Sequence, residues 1–390
     1  MIKRTIESKL KQLYGKFPIV SLTGPRQSGK TTLIKNTFKN IPYVSLENPE
    51  DREFAIRDPK GFLNEYPKGV ILDEIQRVPE LFSWLQGIVD NDRSKKYIIS
   101  GSQNFLLSQQ ISQSLAGRVA ILTLLPLSLN ELEQANLLGR SFPEVAYKGF
   151  YPGIFDRQLA PEDFYPNYVH TYVERDVRQL KQVGDLHTFT TFLKLCAGRA
   201  GQLINLSELS NDTGIAVNTV KSWLNILEAS YIIFRLYPHH KNYNKRLIKM
   251  PKIYFYDTGL LCYLLGIKDA AQIQVHFAKG AVFENLVIAD LLKKYLNSGR
   301  DPQLYFWRDH RGKEIDLLIE KGVKITPVEI KSGETKSMEY FKNLIYWNRI
   351  SGFQPENAIV VYGGNESRTT KAGRLISWKS LVNKGFFSEK

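Results

Sequence analysis

Gly24-Pro25-Arg26-Gln27-Ser28-Gly29-Lys30-Thr31 follows the spacing G-x-x-x-x-G-K-[ST]. Its two glycines let the backbone curl so that successive N–H groups point inward at phosphate oxygens. Lys30 adds a compact cation for the β- and γ-phosphates, and Thr31 offers a hydroxyl to Mg²⁺. Thr32 continues the set into the residues that follow. The chemistry implied is binding of a nucleoside triphosphate, ATP or GTP. A second group, Asp73-Glu74, closes the apolar run Gly69-Val70-Ile71-Leu72. There a buried strand can deliver Asp73 to the Mg²⁺ shell and Glu74 to the position of a base that polarises the attacking water. A third constellation lies far downstream and comprises Glu284, Asp316 and the E-x-K of Glu329-Ile330-Lys331. Two carboxylates that hold a metal against a scissile phosphate, plus a lysine that stabilises charge, are what metal-dependent phosphodiester cleavage needs.

These residues require particular elements to carry them. Phe17 to Leu22 reads as a strand and Thr31 to Lys35 as the start of a helix, so the phosphate-binding loop faces a helix N-terminus. Ile41 to Leu46, Gly69 to Glu74, Lys96 to Ser100 and Val119 to Thr123 continue as apolar strands of a doubly wound α/β sheet. The fourth strand runs into Gly101-Ser102-Gln103-Asn104, where Ser102 is the candidate to orient water or the γ-phosphate. Arg118 stands directly before the fifth strand, on the rim of the sheet. From there it can reach the nucleotide of a neighbouring subunit, or equally lie in solvent.

The runs GPRQSGKTTL, VILDEIQRVPELF, IISGSQNFLLSQQISQSLAGRV and LPLSLNEL together resemble the AAA-type ATPases of bacteria and archaea. The resemblance covers the first third of the chain. It implies that these runs are the Walker A, Walker B, sensor 1 and arginine-containing segments. It also implies a C-terminal domain with a restriction-endonuclease-like core.

Between the two ends, Tyr165 to Gly184 reads as a helix of mixed charge that includes Glu174, Arg175, Asp176 and Arg178. A short helix from Leu206, with Ser207 as its cap, a turn at Gly214 and a second helix from Asn218 to Ala229 give a helix-turn-helix rhythm. Strands Tyr231 to Leu236 and Lys252 to Tyr256 then flank a loop carrying Lys241, Lys245, Arg246, Lys249 and Lys252. The pattern is that of a winged helix with a basic tip. The second helix is expected to expose Asn218, Thr219, Lys221, Ser222 and Asn225 for a major groove. Packing within an ATPase assembly is the competing use. Farther on, Ala281 to Ala289 reads as a helix bearing Glu284, and Gln303 to Trp307 and Lys313 to Ile319 as strands. Thr326 to Lys331 reads as a strand that puts Glu329 and Lys331 on one face. In this order the helix acid, strand acid and E-x-K match the PD-(D/E)xK nucleases.

With 390 residues the chain can bury more than one core. The division expected is an ATPase core at 1–130, a helical lid at 131–200, a winged helix at 201–256 and a nuclease-like α/β domain at 257–390. No apolar run approaches the roughly 18 residues that span a bilayer, and the N-terminus lacks a signal-peptide stretch. A cytoplasmic protein without membrane contact is expected. Cys196 and Cys262 lack metal-ligand spacing and read as buried thiols. A net charge of +14 suits a polyanionic partner, DNA being the expected one, and a basic solubility profile is the bland alternative. The sequence thus implies an ATP- and Mg²⁺-binding hydrolase, expected as a homo-oligomer. Its nucleotide state would control a Mg²⁺-dependent nuclease-like domain, with Asp316 and Glu329 as metal ligands. The alternative is a nucleotide-gated regulatory or scaffold ATPase whose C-terminal domain only binds nucleic acid or a partner protein.

Overall fold

The computed structural model describes residues 2–101, 111, 113–173, 186–239, 250–352 and 354–383. Its N-terminal part consists of α1 (Glu7–Lys16), β1 (Ile19–Thr23), α2 (Lys30–Thr37), β2 (Tyr43–Ser45), α3 (Pro49–Arg57), α4 (Pro59–Asn64), β3 (Ile71–Asp73), α5 (Glu80–Asn91), β4 (Tyr97–Ser100) and β5 (Val119–Thr123). The strands pair in the order β2-β3-β4-β1-β5, all parallel. Because helices cover both faces, the central strands read as unbroken apolar runs rather than alternating ones. One face packs Ile19, Leu72, Tyr97 and Ile99 under α5, and the other packs Val20, Leu22, Ile71 and Ile98 under α1 and α2.

The chain then runs through α6 (Leu129–Gln134), α7 (Phe142–Lys148), α8 (Pro152–Asp156), α9 (Pro161–Tyr168), α10 (Leu186–Gly198), α11 (Leu206–Thr213) and α12 (Val217–Ala229). The mixed-charge helix expected from Tyr165 begins earlier, as α9, and passes into a π-helical turn at Val169–Val173. Glu174, Arg175, Asp176 and Arg178 lie outside the described residues. Asn205, not Ser207, caps α11, since its side chain accepts from the N–H groups of Ser207 and Glu208. Gly214 closes that helix in the left-handed conformation, as a C-terminal glycine does. On α12, Asn218, Lys221 and Asn225 are exposed and Thr219 and Ser222 half-buried.

Next come β6 (Ile233–Pro238), β7 (Lys252–Phe255), α13 (Thr258–Leu264), α14 (Ala270–Val275), α15 (Lys279–Asn297), β8 (Leu304–Arg308), β9 (Glu314–Lys321), β10 (Lys324–Lys331), α16 (Lys342–Ser351), β11 (Ile359–Tyr362), β12 (Arg368–Thr370) and β13 (Gly373–Ser377). The antiparallel pair β6/β7 joins the C-terminal strands in one mixed sheet, ordered β12-β13-β11-β10-β9-β8-β6-β7, through the parallel contact of Tyr237 and Pro238 with Tyr305 and Phe306. The boundary expected at 256/257 therefore falls inside a layer. A single apolar core also runs from Leu125 to Leu381 and takes in the helical segment, the α11/α12 pair and the C-terminal sheet. α15 lies within it, buried along most of its length. Among the described residues no helix is long and apolar enough to cross a membrane.

Candidate active site and C-terminal charge cluster

The turn from β1 into α2 holds the phosphate-binding residues. Gly24 has φ +143°, and a Cβ there would lie 2.1 Å from the carbonyl oxygen of Leu124, so neither the backbone conformation nor the space admits a side chain. Gly29, at φ +92°, ends the loop and starts the helix. Lys30 is buried and folds back over the loop, donating to the carbonyls of Gly24 at 2.9 Å and Pro25 at 2.8 Å. Its ammonium thus stands over the concavity of the loop, where the oxygens of a bound phosphate would compete for it. Pro25 and Ser28 are buried, Arg26 and Gln27 half-buried, and Thr32 exposed.

Asp73 ends β3 beside this loop. Its Oδ2 accepts from the hydroxyls of Thr31 and Tyr43, both at 2.7 Å, and its Oδ1 accepts from Ser100 at the end of β4. Burial and this carboxylate together push the Tyr43 phenol well above its ordinary pKa, which keeps it a hydrogen-bond donor. Thr31 and Asp73 form a hard-oxygen donor set that would suit Mg²⁺, and an ion held there would neutralise charge on a bound phosphate. Glu74 follows in the left-handed conformation, φ 55° and ψ 41°. Such strain at a non-glycine residue turns the carboxylate out of the strand, where Gln76 donates to it. The arrangement separates the buried Asp73, bonded to Thr31, from the half-buried Glu74 at the turn that follows.

Arg4 clamps the loop from behind. It is 7% exposed and pairs with the fully buried Glu131 at 3.2 Å, while its other nitrogens donate to the carbonyls of Ser28 at 2.7 Å and Leu125 at 2.6 Å. Glu131 also accepts from the N–H groups of Thr5 and Ser128, the latter closing a capping box on α6. The same junction meets α15, where Asp290 accepts from the Leu129 N–H at 2.8 Å and the buried Lys293 donates to the Leu127 carbonyl at 2.9 Å. Burial lowers the Lys293 ammonium to about 8. From the turn between α12 and β6, Tyr231 donates its hydroxyl to Thr23, the residue before Gly24, at 2.9 Å. A cavity of about 140 Å³ opens beside Thr32, bounded by Ile2, Leu33, Leu127 and Pro152.

Ser102 lies outside the described residues. Arg118 does not approach its own phosphate loop. The β1/β5 register aligns Ile19 with Val119 and Thr23 with Thr123, so Arg118 sits at the far end of the strands, about 16 Å away at 3.3 Å per residue. There it makes two hydrogen bonds to Asp90 of α5, at 2.6 and 2.8 Å.

The C-terminal residues converge. Lys331 bridges Asp316, at 3.3 Å, and Glu329, and Asp316 also accepts from the Ile330 N–H at 2.7 Å. Glu284 of α15 faces the same cluster and accepts from the Tyr254 hydroxyl at 2.6 Å. Desolvation, then the charge of Asp316, raise Glu284 to about 7 and Glu329 to about 8. Lys252, expected among the exposed lysines of the hairpin tip, is instead buried. Its ammonium lies between Glu284, at 3.4 Å, and Glu314, at 2.5 Å. Lys241, Lys245, Arg246 and Lys249 lie outside the described residues. Asp316 and Glu329 do not fit a divalent ion as arranged, because ammonium groups already lie among the acids. Among the described residues no three acids, histidines or cysteines gather closely enough to hold a metal. Both cysteines are buried free thiols.

Reading the sequence missed Arg4, Tyr43, Ser100, Glu131, Lys252, Tyr254 and Glu314 as members of these sites. Only Glu131 had a readable signal, the S-x-x-E capping box that begins at Ser128.

Family models match three segments, namely an AAA domain at residues 16–133, a domain of unknown function (DUF8612) at 139–271 and a domain of unknown function (DUF4143) at 279–381. The uncharacterized protein Rv2008c of Mycobacterium tuberculosis is 31% identical over 341 residues, which cover 86% of this chain and 75% of its own length. An uncharacterized protein of Haemophilus influenzae is 23% identical over 363 residues, 83% of this chain and 85% of its own. Among solved structures, the Walker-type ATPase PABY2304 of Pyrococcus abyssi aligns with 68% of this chain and 96% of its own at 15% identity, with a TM-score of 0.47. The chain belongs to the same family as the mycobacterial protein, and its N-terminal domain is that of a P-loop AAA ATPase.

Proposed function

We propose that this protein is an ATP-driven switch acting on nucleic acid, in which ATP binding and hydrolysis at the phosphate loop control a C-terminal endonuclease-like domain. The observation that carries the reading is α15, which bears Glu284 in the C-terminal cluster and Asp290 and Lys293 at the junction clamped behind the loop. The cavity beside Thr32 suits the nucleotide base. Thr31 and Asp73 suit Mg²⁺, and Glu74 suits the base that orients water. The α11/α12 pair with its hairpin suits a winged helix, whose exposed Asn218, Lys221 and Asn225 can meet DNA. Arg118 suits a finger acting in trans, which would make the active assembly a homo-oligomer.

The test is DNA binding and nicking with Mg²⁺ or Mn²⁺, with and without ATP, for the parent, Lys30→Ala and Asp316→Ala. Nicking that requires ATP and is lost in both variants supports the proposal. If no form of DNA is nicked, and Asp316→Ala leaves DNA binding and ATPase rate unchanged, the endonuclease part is wrong. The ion pairs of Lys252 and Lys331 favour a second reading in which the C-terminal domain only binds nucleic acid or a partner protein.

A further inference from the structure

The C-terminal cluster contains four acids, Glu284, Glu314, Asp316 and Glu329, drawn from α15, β9 and β10. Two lysines stand among them. Lys331 belongs to the E-x-K itself, but Lys252 arrives from elsewhere, at the start of β7 in the hairpin that follows the α11/α12 pair. Burying an ammonium is costly unless it is paired, and this one is 3% exposed. Its partners come from two separate elements, Glu284 on α15 and Glu314 on β9, so a single side chain draws the helix acid to the strand acids. Its ammonium also faces the ring of Phe306, with 5.6 Å to the centroid. A divalent cation that gathers acids from α15 and β9 has to take over the same oxygens, and the two positive charges exclude one another at that spacing.

We propose that Lys252 is a tethered cation that latches the C-terminal cluster shut, occupying the place a divalent metal would need between Glu284 and Glu314. The inference rests on the reading of the C-terminal sheet as endonuclease-like. The backbone between α10 and α11 also bridges β7, at Ala200 with Ile253 and at Leu203 with Lys252, and so holds the strand that carries the latch.

The experiment is Mn²⁺ binding by the full chain without nucleotide, followed by electron paramagnetic resonance, for the parent, Lys252→Met, Lys252→Arg and Lys252→Met/Glu284→Gln. Circular dichroism confirms folding, and Lys252→Gln replaces the Met variant if that one fails to fold. Lys252→Met is expected to gain one Mn²⁺ site at least about tenfold tighter than any in the parent, and a melting temperature that rises with Mn²⁺. Lys252→Arg keeps the cation and should gain nothing, and the double variant should lose the gained site. A parent that already binds Mn²⁺ through Glu284 overturns the latch while leaving the endonuclease-like reading intact. A folded Lys252→Met without a Mn²⁺ site overturns the latch and also removes metal-dependent cleavage from the proposed function.

Discussion

Replacing Arg4 with Met removes a buried cation while keeping most of its apolar volume. Three acceptors then lose a donor, namely the Glu131 carboxylate and the carbonyls of Ser28 and Leu125. Breaking a buried ion pair costs about 3–5 kcal/mol, chiefly because the remaining charge is stranded. Glu131 still accepts from the N–H groups of Thr5 at 2.7 Å and Ser128 at 2.9 Å, so the loss belongs at the lower end, about 3 kcal/mol. At about 3 °C per kcal/mol for a domain of this size, the first melting transition falls by roughly 9 °C. Adding Glu131→Gln removes the stranded charge, and the double variant should regain at least about 1.5 kcal/mol relative to the sum of the single losses. Thermal melting followed by circular dichroism gives the cycle, and initial ATPase rates give the functional arm. Because Arg4 holds the Ser28 carbonyl, the KM for ATP should rise several-fold while kcat changes little. An Arg4→Met protein that melts within about 1 °C of the parent, or a strictly additive double variant, refutes the clamp.

Glu74→Gln should bind ATP within a few-fold of the parent but turn it over about 10²–10⁴ times more slowly, measured by phosphate release, whereas Lys30→Ala should lose nucleotide affinity itself. Gly24→Ala should abolish ATP binding by fluorescent-nucleotide titration, since its Cβ meets the Leu124 carbonyl oxygen. Raising pH from about 5 to about 8 should destabilise the C-terminal core. Glu284 and Glu329 titrate above their unfolded values, so the folded state holds protons that the unfolded state releases, and stability falls across that window by at most about 3 kcal/mol for Glu284 and about 4 kcal/mol for Glu329. Glu284→Gln should flatten the profile in pH-dependent melts. Arg118→Ala mixed with Glu74→Gln should recover ATPase activity if the finger acts between subunits, and a flat mixing curve removes that role.

The five parallel strands were legible because strands buried on both faces read as continuous apolar runs, and each observed strand lies within about two residues of its expected span. The phosphate-binding residues were legible for a related reason, since their function depends on spacing within one turn. Pairings between distant residues left no such trace. Arg4 meets Glu131 across 127 positions, and nothing near Arg4 separates a clamp from a solvated arginine. Lys252 follows a basic loop and was read with it, although the next residues, Ile253-Tyr254-Phe255, are buried; its burial depends on Glu284 and Glu314, 32 and 62 positions downstream. Ser207 and Asn205 are both good caps, and only the start of α11 at Leu206 chooses between them. The connection between the two sites was hidden for the same reason. The helical pattern around Glu284 was readable, but not that the same helix continues to Lys293 and meets the Leu127 carbonyl. At 1.5 Å per residue those side chains leave one rigid rod about 14 Å apart. One helix thus carries both Glu284 in the C-terminal cluster and the groups that bond the junction behind the phosphate loop.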